Sequence, residues 1–174
     1  MLTHAELVVR RAGPGDEEAL SGLAFEYLVW AVERLKAEYD VSWPAIAIDD
    51  VRASWEEYGS EGAAFIAERG GEPVGIGAVR RLEDGVAEVK RMYVRPEARG
   101  LGAGAALLDN VLDHARSLGA RIVRLDTVRF MADAQRLYRS RGFIERGPYE
   151  GTEIPERLQH HWRFFEVAVS AREG

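Results

Sequence analysis

The sequence predicts an α/β (α+β) fold, in which a mixed central sheet carries helices on both faces. Two helix-like segments follow a first strand, and a β-hairpin and a β–α–β–α–β–β series come after them. The helical segments place apolar residues three and four positions apart, which is the spacing of one buried helix face. The strand-like segments are short and bounded by turn residues. Strands that alternate with helices in this order predict a mixed sheet with helices on both sides.

The first third of the chain is predicted to hold one strand and two helices. Leu7–Arg11 is the strand, and Asp16 is the expected N-cap of a long helix. Asp49 or Asp50 is the expected cap of a second, shorter helix that ends near Tyr58. One buried stripe of the long helix consists of Leu20, Leu23, Ala24, Tyr27, Leu28, Ala31 and Leu35.

The remainder of the chain begins with a predicted hairpin. Ala63–Arg69 and residues 73–82 are its strands, and Gly70-Gly71 is its turn. Val86–Val94 is the next strand. Further on, the pattern predicts helices at residues 103–118 and 132–141 and strands at residues 121–127, 143–146 and 163–169.

Length and composition limit the classes of protein. At 174 residues the chain suits one domain with a full core, and the absence of cysteine excludes disulfides, thiolate metal ligands and a cysteine nucleophile. No apolar run approaches the roughly 20 residues of a membrane span, and residues 1–11 lack the apolar core of a signal peptide. We therefore expect a cytoplasmic protein that binds no membrane. The net charge is −6 and basic residues form no long stripe, so no nucleic acid partner is expected.

A glycine-rich turn between a strand and a helix is the most informative segment. Residues 94–108 read VRPEARGLGAGAALL and contain Arg99, Gly100, Gly102 and Gly104. Glycines let the backbone approach a ligand closely, and free N–H groups at a helix start attract an anion. The guanidinium of Arg99 can donate hydrogen bonds to phosphate oxygens, so the segment is suited to bind a pyrophosphate. The segment matches neither the dinucleotide-binding fingerprint nor the P-loop motif. The remaining alternative is a glycine-rich helix start that binds no ligand.

The sequence resembles GNAT-superfamily N-acetyltransferases. The pyrophosphate motif of the family is Arg or Gln, two residues, Gly, one residue, then Gly or Ala, and Arg99, Gly102 and Gly104 match it. Residues 87–96 resemble the family's central strand, and the segments at 125–127 and 134–143 resemble the second half of its cofactor site. The resemblance implies a mostly antiparallel sheet in a single domain over residues 1–174. Residues 75–169 would form the acyl-CoA-binding core and residues 12–62 the helical acceptor side.

The same resemblance implies that acetyl-CoA is the cosubstrate and that no metal takes part. The backbone of Met92 and Val94 would pair with the pantetheine arm. A one-residue shift of the apolar pattern near Arg91 predicts a β-bulge there, and an N–H near Met92 or Tyr93 could stabilise an oxyanion. Many members have Asn at the position of Met131. The implied cofactor residues are Met92, Tyr93, Val94, Arg99, Gly100, Leu101, Gly102, Ala103, Gly104, Ala105, Thr127 and Ala134.

Two side chains are candidates for proton transfer. Glu88, eleven residues before Arg99, matches the position of a catalytic glutamate in several members, and a base is needed because a protonated amine is not nucleophilic. Its alternative is a strand carboxylate paired with Lys90 or Arg91. Tyr138 matches the family tyrosine that protonates the leaving thiolate, and its alternative is a core aromatic residue. Without a cysteine, direct attack in a ternary complex is favoured over a covalent acyl-enzyme.

The acceptor side is less well defined by the sequence. Tyr27, Trp30 and Tyr149 are candidate substrate-binding residues, because aromatic residues interleaved with carboxylates can bind a cationic amine. Packing of amphipathic helices explains the same aromatic residues. His160 and His161 are expected on a strand, where neighbours point in opposite directions, so a rim or acceptor role is favoured over a metal site.

Three functions are compatible with these residues. The first is acetylation of a primary amine on a small molecule, the second acetylation of a protein or peptide, and the third a non-catalytic sensor of acyl-CoA. The small-molecule amine is the expected acceptor. A homodimer is common in proteins of this kind, although no residue of this sequence establishes one.

Overall fold

The computed structural model describes residues 5–58 and 60–170, so the predicted domain limits at residues 1 and 174 lie outside the described residues. Eleven helices and strands occur in the described parts: β1 Leu7–Arg11, α1 Glu17–Tyr39, α2 Ile48–Ser54, β2 Ala63–Arg69, β3 Glu72–Glu83, β4 Val86–Val94, α3 Ala103–Ser117, β5 Ile122–Val128, α4 Ala132–Ser140, β6 Ile144–Arg146 and β7 Trp162–Ala168. Short 3₁₀ turns occupy Trp55–Tyr58, Pro96–Ala98 and Glu156–His161.

The strands form one seven-stranded sheet in the order β1-β2-β3-β4-β5-β7-β6. All neighbouring strands are antiparallel except β4 and β5, which run parallel. The parallel pair is formed because α3 connects the two strands and returns the chain to the same end of the sheet. The predicted mixed, mostly antiparallel sheet is therefore confirmed.

Helices cover both faces, and the alternation of side chains along β2 shows why. Phe65 belongs to the apolar cluster built around α3, whereas its neighbour Ile66 belongs to the cluster that contains Leu23 of α1. Successive residues of a strand point to opposite faces, so one strand contributes to both cores. Leu107 and Leu108 of α3 are fully buried, as the spacing of the helix predicts.

Two predicted helix caps differ in detail from the structure. Asp16 does precede α1, but its carboxylate accepts hydrogen bonds from Arg10 and from the Gly13 N–H, each at 2.8 Å, and caps no helical N–H. The helix α2 begins at Ile48, so Asp49 and Asp50 lie in its first turn instead of capping it. Both carboxylates still favour the positive end of the helix dipole there. No helix in the described residues is long and apolar enough to cross a bilayer.

Candidate active site

A bulge in β4 and a split between β4 and β5 create the site. Arg91 has a left-handed backbone with φ 56°, and the strand register slips between the pairs Ile76–Tyr93 and Ala78–Lys90. The bulge expected near Arg91 is therefore present. Strands β4 and β5 pair only through residues 86–88 and 122–124, and no further pair joins these two fully described strands. Beyond that point a cavity lies on each side of the end of β4.

The larger cavity has a volume of about 550 Å³ and surrounds the start of α3. Gly100 and Gly102 adopt φ values of 75° and 86°, and a Cβ built on either would meet no atom within 4 Å. The turn therefore leaves open space in front of the free N–H groups of the helix. The predicted cofactor residues that line this cavity are Met92, Tyr93, Val94, Arg99, Gly100, Gly102, Ala103, Gly104, Ala105 and Ala134.

Two arginines at this cavity suit a ligand that carries phosphates. Arg99 donates from Nε to the Val94 carbonyl oxygen at 3.0 Å, and its Cζ lies 6.0 Å from the Trp30 ring. Arg34 of α1 lines the same cavity, with its Cζ 4.7 Å from the Phe130 ring centroid. The open turn, the helix start and the two guanidinium groups together fit the pyrophosphate and phosphate groups of coenzyme A. Arg34 is not among the residues predicted from the sequence, although it lies one helical turn after Trp30.

The smaller cavity has a volume of about 220 Å³ and lies between α1 and the split. Its walls are mainly apolar, with Leu28, Leu35 and Ile46 among them, and its polar residues include Lys90, Arg91, Asp126 and Glu153. Five residues line both cavities: Tyr27, Met92, Met131, Ala134 and Tyr138. The two spaces therefore share one boundary, at which ligands in each could react with one another.

Tyr138 lies at this shared boundary. Its side chain is 5% exposed, and its hydroxyl has no hydrogen-bond partner among the residues that the structure describes. Burial, with smaller effects of Tyr27 and Asp126, raises the pKa of the phenol above its ordinary value. Tyr138 is therefore a neutral phenol at physiological pH with a hydroxyl available to a ligand.

Glu88 is placed differently from the expectation of a base that faces a cleft. The residue is fully buried, and it is not among the described residues that line either cavity. Arg80 Nη2 lies 2.8 Å from Glu88 Oε1, and the Tyr149 hydroxyl donates to Oε2 at 2.8 Å. These contacts occupy the carboxylate, because a buried charge requires partners that replace water. Glu88 is thus held by contacts within the protein and not beside the space for a ligand.

Asp126, unlike Glu88, does reach the smaller cavity, which Glu153 also lines. It lines that cavity next to Thr127 and lies 3.5 Å from the Tyr149 hydroxyl. Burial raises the pKa of Asp126 to about 6, against the lowering effect of Lys90. The sequence offered little signal that Asp126 would line this cavity, since the residue lies in a segment that resembles the cofactor site of the family.

Lys90 and Glu153 form the remaining charged contact in this region. Lys90 Nζ lies 2.9 Å from Glu153 Oε2, and Arg80 Nη1 lies 3.2 Å from Glu153 Oε1. Burial lowers the pKa of Lys90, but the carboxylates of Asp126, Glu88 and Glu153 raise it more, so its net shift is upward. Lys90 therefore stays cationic and is neutralised by Glu153.

Several predicted site residues lie elsewhere than expected. Leu101 is 48% exposed and does not line the larger cavity, and Thr127 lines the smaller one. Among the expected substrate residues, Tyr27 lines both cavities and Trp30 only the larger. Tyr149 lines neither cavity, and its hydroxyl donates to Glu88.

Met131 contacts two side chains of the smaller cavity, and the histidine pair lies in a turn before β7. Met131, which stands where many GNAT proteins have Asn, has its sulfur 3.4 Å from Thr127 Oγ1 and 3.9 Å from the Tyr27 hydroxyl. His160 and His161 lie in a 3₁₀ turn, and their rings do not point apart: the centroids are 3.9 Å from each other. The expected strand geometry is wrong there, because β7 begins only at Trp162.

Comparison with known proteins agrees with this geometry. The sequence profile of the acetyltransferase (GNAT) family matches residues 30–143. An IAA acetyltransferase of Azospirillum brasilense is 44% identical over 86 residues, which cover 49% of this chain and 56% of that protein. The chain therefore spans little more than half the length of this curated relative.

Solved structures share the fold over nearly the whole chain. An acetyltransferase from Streptococcus agalactiae superposes with a TM-score of 0.72 at 19% identity, covering 94% of this chain and 98% of that one. An acetyltransferase from Salmonella typhimurium, solved with its cofactor acetyl-CoA, gives a TM-score of 0.68 at 20% identity and covers 97% and 96%. The fold of this chain is thus shared with these two structures. The profile match extends over more than half of the chain. The chain therefore belongs to the GNAT acetyltransferase family.

Proposed function

We propose that the chain transfers an acetyl group from acetyl-CoA to a primary amine of a small molecule by direct attack in a ternary complex. The observation that carries this proposal is the shared boundary of the two cavities. The larger cavity has the open glycine turn, the helix start and the arginines that suit coenzyme A. The smaller one has a carboxyl group and apolar walls that suit an amine. Both substrates could be bound at once with their reacting groups at Tyr138.

We assign the proton acceptor of this reaction to Asp126. A base in the acceptor cavity has to be ionised near neutral pH and yet be basic enough to accept a proton, and a pKa of about 6 meets both conditions. Glu88, the base expected from the family resemblance, would act instead by holding Tyr149 beside Asp126. In this scheme Asp126 removes a proton from the ammonium group, and the neutral nitrogen then attacks the thioester carbonyl carbon. The C–S bond breaks as the intermediate collapses, the nitrogen loses its second proton, and the thiolate leaves as the free thiol.

Tyr138 is the proposed hydrogen-bond donor to the departing sulfur. Tyr138 lines both cavities, and its hydroxyl has no hydrogen-bond partner among the described residues. Its raised pKa keeps the proton on the phenol before the reaction. Backbone N–H groups near Met92 or Tyr93, at the bulge, would polarise the thioester carbonyl. Acetyl-CoA supplies the activated acyl group, and the chain would orient it and exclude water.

A small-molecule acceptor fits the smaller cavity better than a peptide. A volume of about 220 Å³ with apolar walls accommodates a compact molecule. A test is to incubate the purified protein with acetyl-CoA and a panel of small primary amines, following free thiol and acetylated product by mass spectrometry. Acetylation of an amine would support the proposal. Acetylation confined to added peptides or proteins would favour the second function, and tight acetyl-CoA binding without transfer would favour a sensor.

Replacing Tyr138 with Phe tests the proposed donor. We expect Tyr138→Phe to lower kcat by about 100-fold, because the leaving thiolate loses its hydrogen bond, while the acetyl-CoA dissociation constant changes little. Stopped-flow or steady-state thiol release and calorimetric titration of acetyl-CoA measure the two quantities. Tyr39→Phe is the matched control, since Tyr39 stacks on Phe130 and His161 and lines neither cavity. Full activity of Tyr138→Phe would exclude the donor role.

A further inference from the structure

The charges around the smaller cavity are not all paired within the protein. Arg80 contacts Glu88 at 2.8 Å, and Lys90 contacts Glu153 at 2.9 Å. These two pairs neutralise four of the six charged side chains that meet there. Arg91 and Asp126 are the other two, and both line the cavity.

Arg91 is a cation without a carboxylate partner. Its Nη2 donates to the neutral Ser54 hydroxyl, and its Cζ lies 4.4 Å from the centroid of the Trp55 ring. Its Nη1 is buried and has no hydrogen-bond partner, and no Asp or Glu oxygen of the described residues lies within 4.0 Å of its guanidinium. Burial raises the pKa of Glu153, but Lys90, Arg80 and, least, Arg91 lower it more, so its net shift is downward. The oxygens of Glu153 contact Lys90 and Arg80 and not Arg91. A partly buried guanidinium is rarely left without an anion.

The backbone at Arg91 places this unpaired cation at the bulge. The residue is held at φ 56°, a conformation that non-glycine residues adopt at a cost and that often occurs at functional sites. The rings of Trp55 and Tyr58, 4.4 and 5.7 Å from its Cζ, hold the guanidinium from the side of α2. The side chain is therefore positioned before any ligand binds, which reduces the entropy lost on binding.

Asp126 is the corresponding unpaired acid. Its closest hydrogen-bonding group is the neutral Tyr149 hydroxyl, at 3.5 Å. No Lys or Arg nitrogen of the described residues lies within 4.0 Å of its carboxylate. The smaller cavity thus presents one unpaired carboxyl group and one unpaired guanidinium, separated by the strand split.

From this pair of charges we infer that the acceptor is a zwitterion, with its amino group at Asp126 and a carboxylate at Arg91. The inference rests on the proposed function and specifies its substrate class: a compact amino acid with an apolar side chain. The carboxylate would supply the anion that Arg91 lacks, through a charge-assisted hydrogen bond to the guanidinium. The apolar side chain would contact Leu28, Leu35 and Ile46. A simple amine would leave the guanidinium unpaired and would therefore bind less well.

Three probes of nearly equal shape test the inference: leucine, leucinamide and isoamylamine. The first has a carboxylate, the second a neutral carboxamide and the third a hydrogen at the same position. We expect kcat/KM for leucine to exceed that for isoamylamine by about 10- to 100-fold, mainly through KM. In Arg91→Gln the same ratio should fall close to one, and Arg91→Lys should restore part of it. Arg52→Gln, an exposed arginine of α2 paired with Asp49, is the matched control and should keep the wild-type ratio.

The outcomes separate this inference from the proposed function. Acetylation of isoamylamine at a rate equal to or above that of leucine would overturn the zwitterion and leave the amine acetyltransferase standing. A preference for leucine that persists in Arg91→Gln would overturn the role of Arg91. If none of the probes is acetylated, calorimetric titration of leucine into the protein saturated with coenzyme A replaces turnover. Binding that Arg91→Gln abolishes would support the inference, and no binding of leucine would refute it.

Discussion

Asp126→Asn is expected to lower kcat by about 10²- to 10⁴-fold, the usual contribution of a general base. The amide has nearly the shape of the carboxyl group but cannot accept the amine proton. In the wild type, kcat/KM should decline as the pH falls through about 6, because Asp126 becomes protonated. The variant should lose this limb of the profile. Initial rates of thiol release between pH 5 and 8.5 measure both effects.

The same substitution should make the folded protein more stable at neutral pH. The pKa of Asp126 is raised from 3.8 to about 6 in the folded chain, so its ionisation above pH 6 favours the unfolded state. Removing the charge should raise the free energy of unfolding by up to about 3 kcal/mol above that pH. The gain should shrink as the pH falls from about 6 toward 3.8 and vanish below it. Urea unfolding at pH 4, 5.5 and 7.5 tests the sign.

Two control variants distinguish a base from a structural carboxylate. Asp84→Asn changes a fully exposed aspartate in the turn after β3, and neither activity nor its pH profile should change. Glu88→Gln should reduce activity and yet retain the decline near pH 6, because Asp126 would still titrate. An Asp126→Asn enzyme with wild-type activity, or a Glu88→Gln enzyme without the acidic limb, would contradict the assignment of the base.

Arg80→Met is expected to destabilise the fold by about 3–5 kcal/mol, the cost of leaving a buried carboxylate without its partner. Glu88 is fully buried, and Arg80, with a side chain 15% exposed, provides its closest cation. Lys90 is 3.9 Å from the same oxygen but is already paired with Glu153. The midpoint and slope of urea unfolding at pH 7.5 measure the loss.

A neighbouring residue and a double variant serve as controls for this pair. Arg81→Met removes the next arginine of β3, whose exposed ion pair with Glu61 should contribute little. The double variant Arg80→Met/Glu88→Leu removes both charges and should recover much of the lost stability. A double variant as unstable as the sum of the two single variants would show that the two charges do not depend on each other.

The order of elements could be predicted because it depends on local patterns. The period of α1 and α3 and the glycine turn of the hairpin follow from short stretches of sequence. The apolar shift along β4 likewise indicated the bulge at Arg91, since one extra residue changes which face the following side chains occupy. The glycine turn of the larger cavity could also be predicted, because its residues are consecutive in the sequence.

The acceptor side could not be predicted, because its side chains come from segments far apart in the chain. Tyr149 contacts Glu88 across 61 positions, and neither residue lines either cavity. Asp126 reaches the smaller cavity only because β4 and β5 separate beyond residue 88. The pairing of Arg80 with Glu88 also follows from strand register and not from spacing. Such contacts require the assembled sheet.

Calorimetric titration of acetyl-CoA tests the central claim most directly, with the wild type beside Arg99→Ala/Gly102→Asp. The variant removes the guanidinium and puts a carboxylate on a residue with φ 86° at the start of α3. We expect micromolar binding to the wild type and a loss of at least about 100-fold in the variant. Arg116→Ala/Gly119→Asp, with φ 76° at the other end of α3, is the matched control and should bind normally. A wild-type protein that does not bind acetyl-CoA, or a variant that binds it equally well, would contradict the claim.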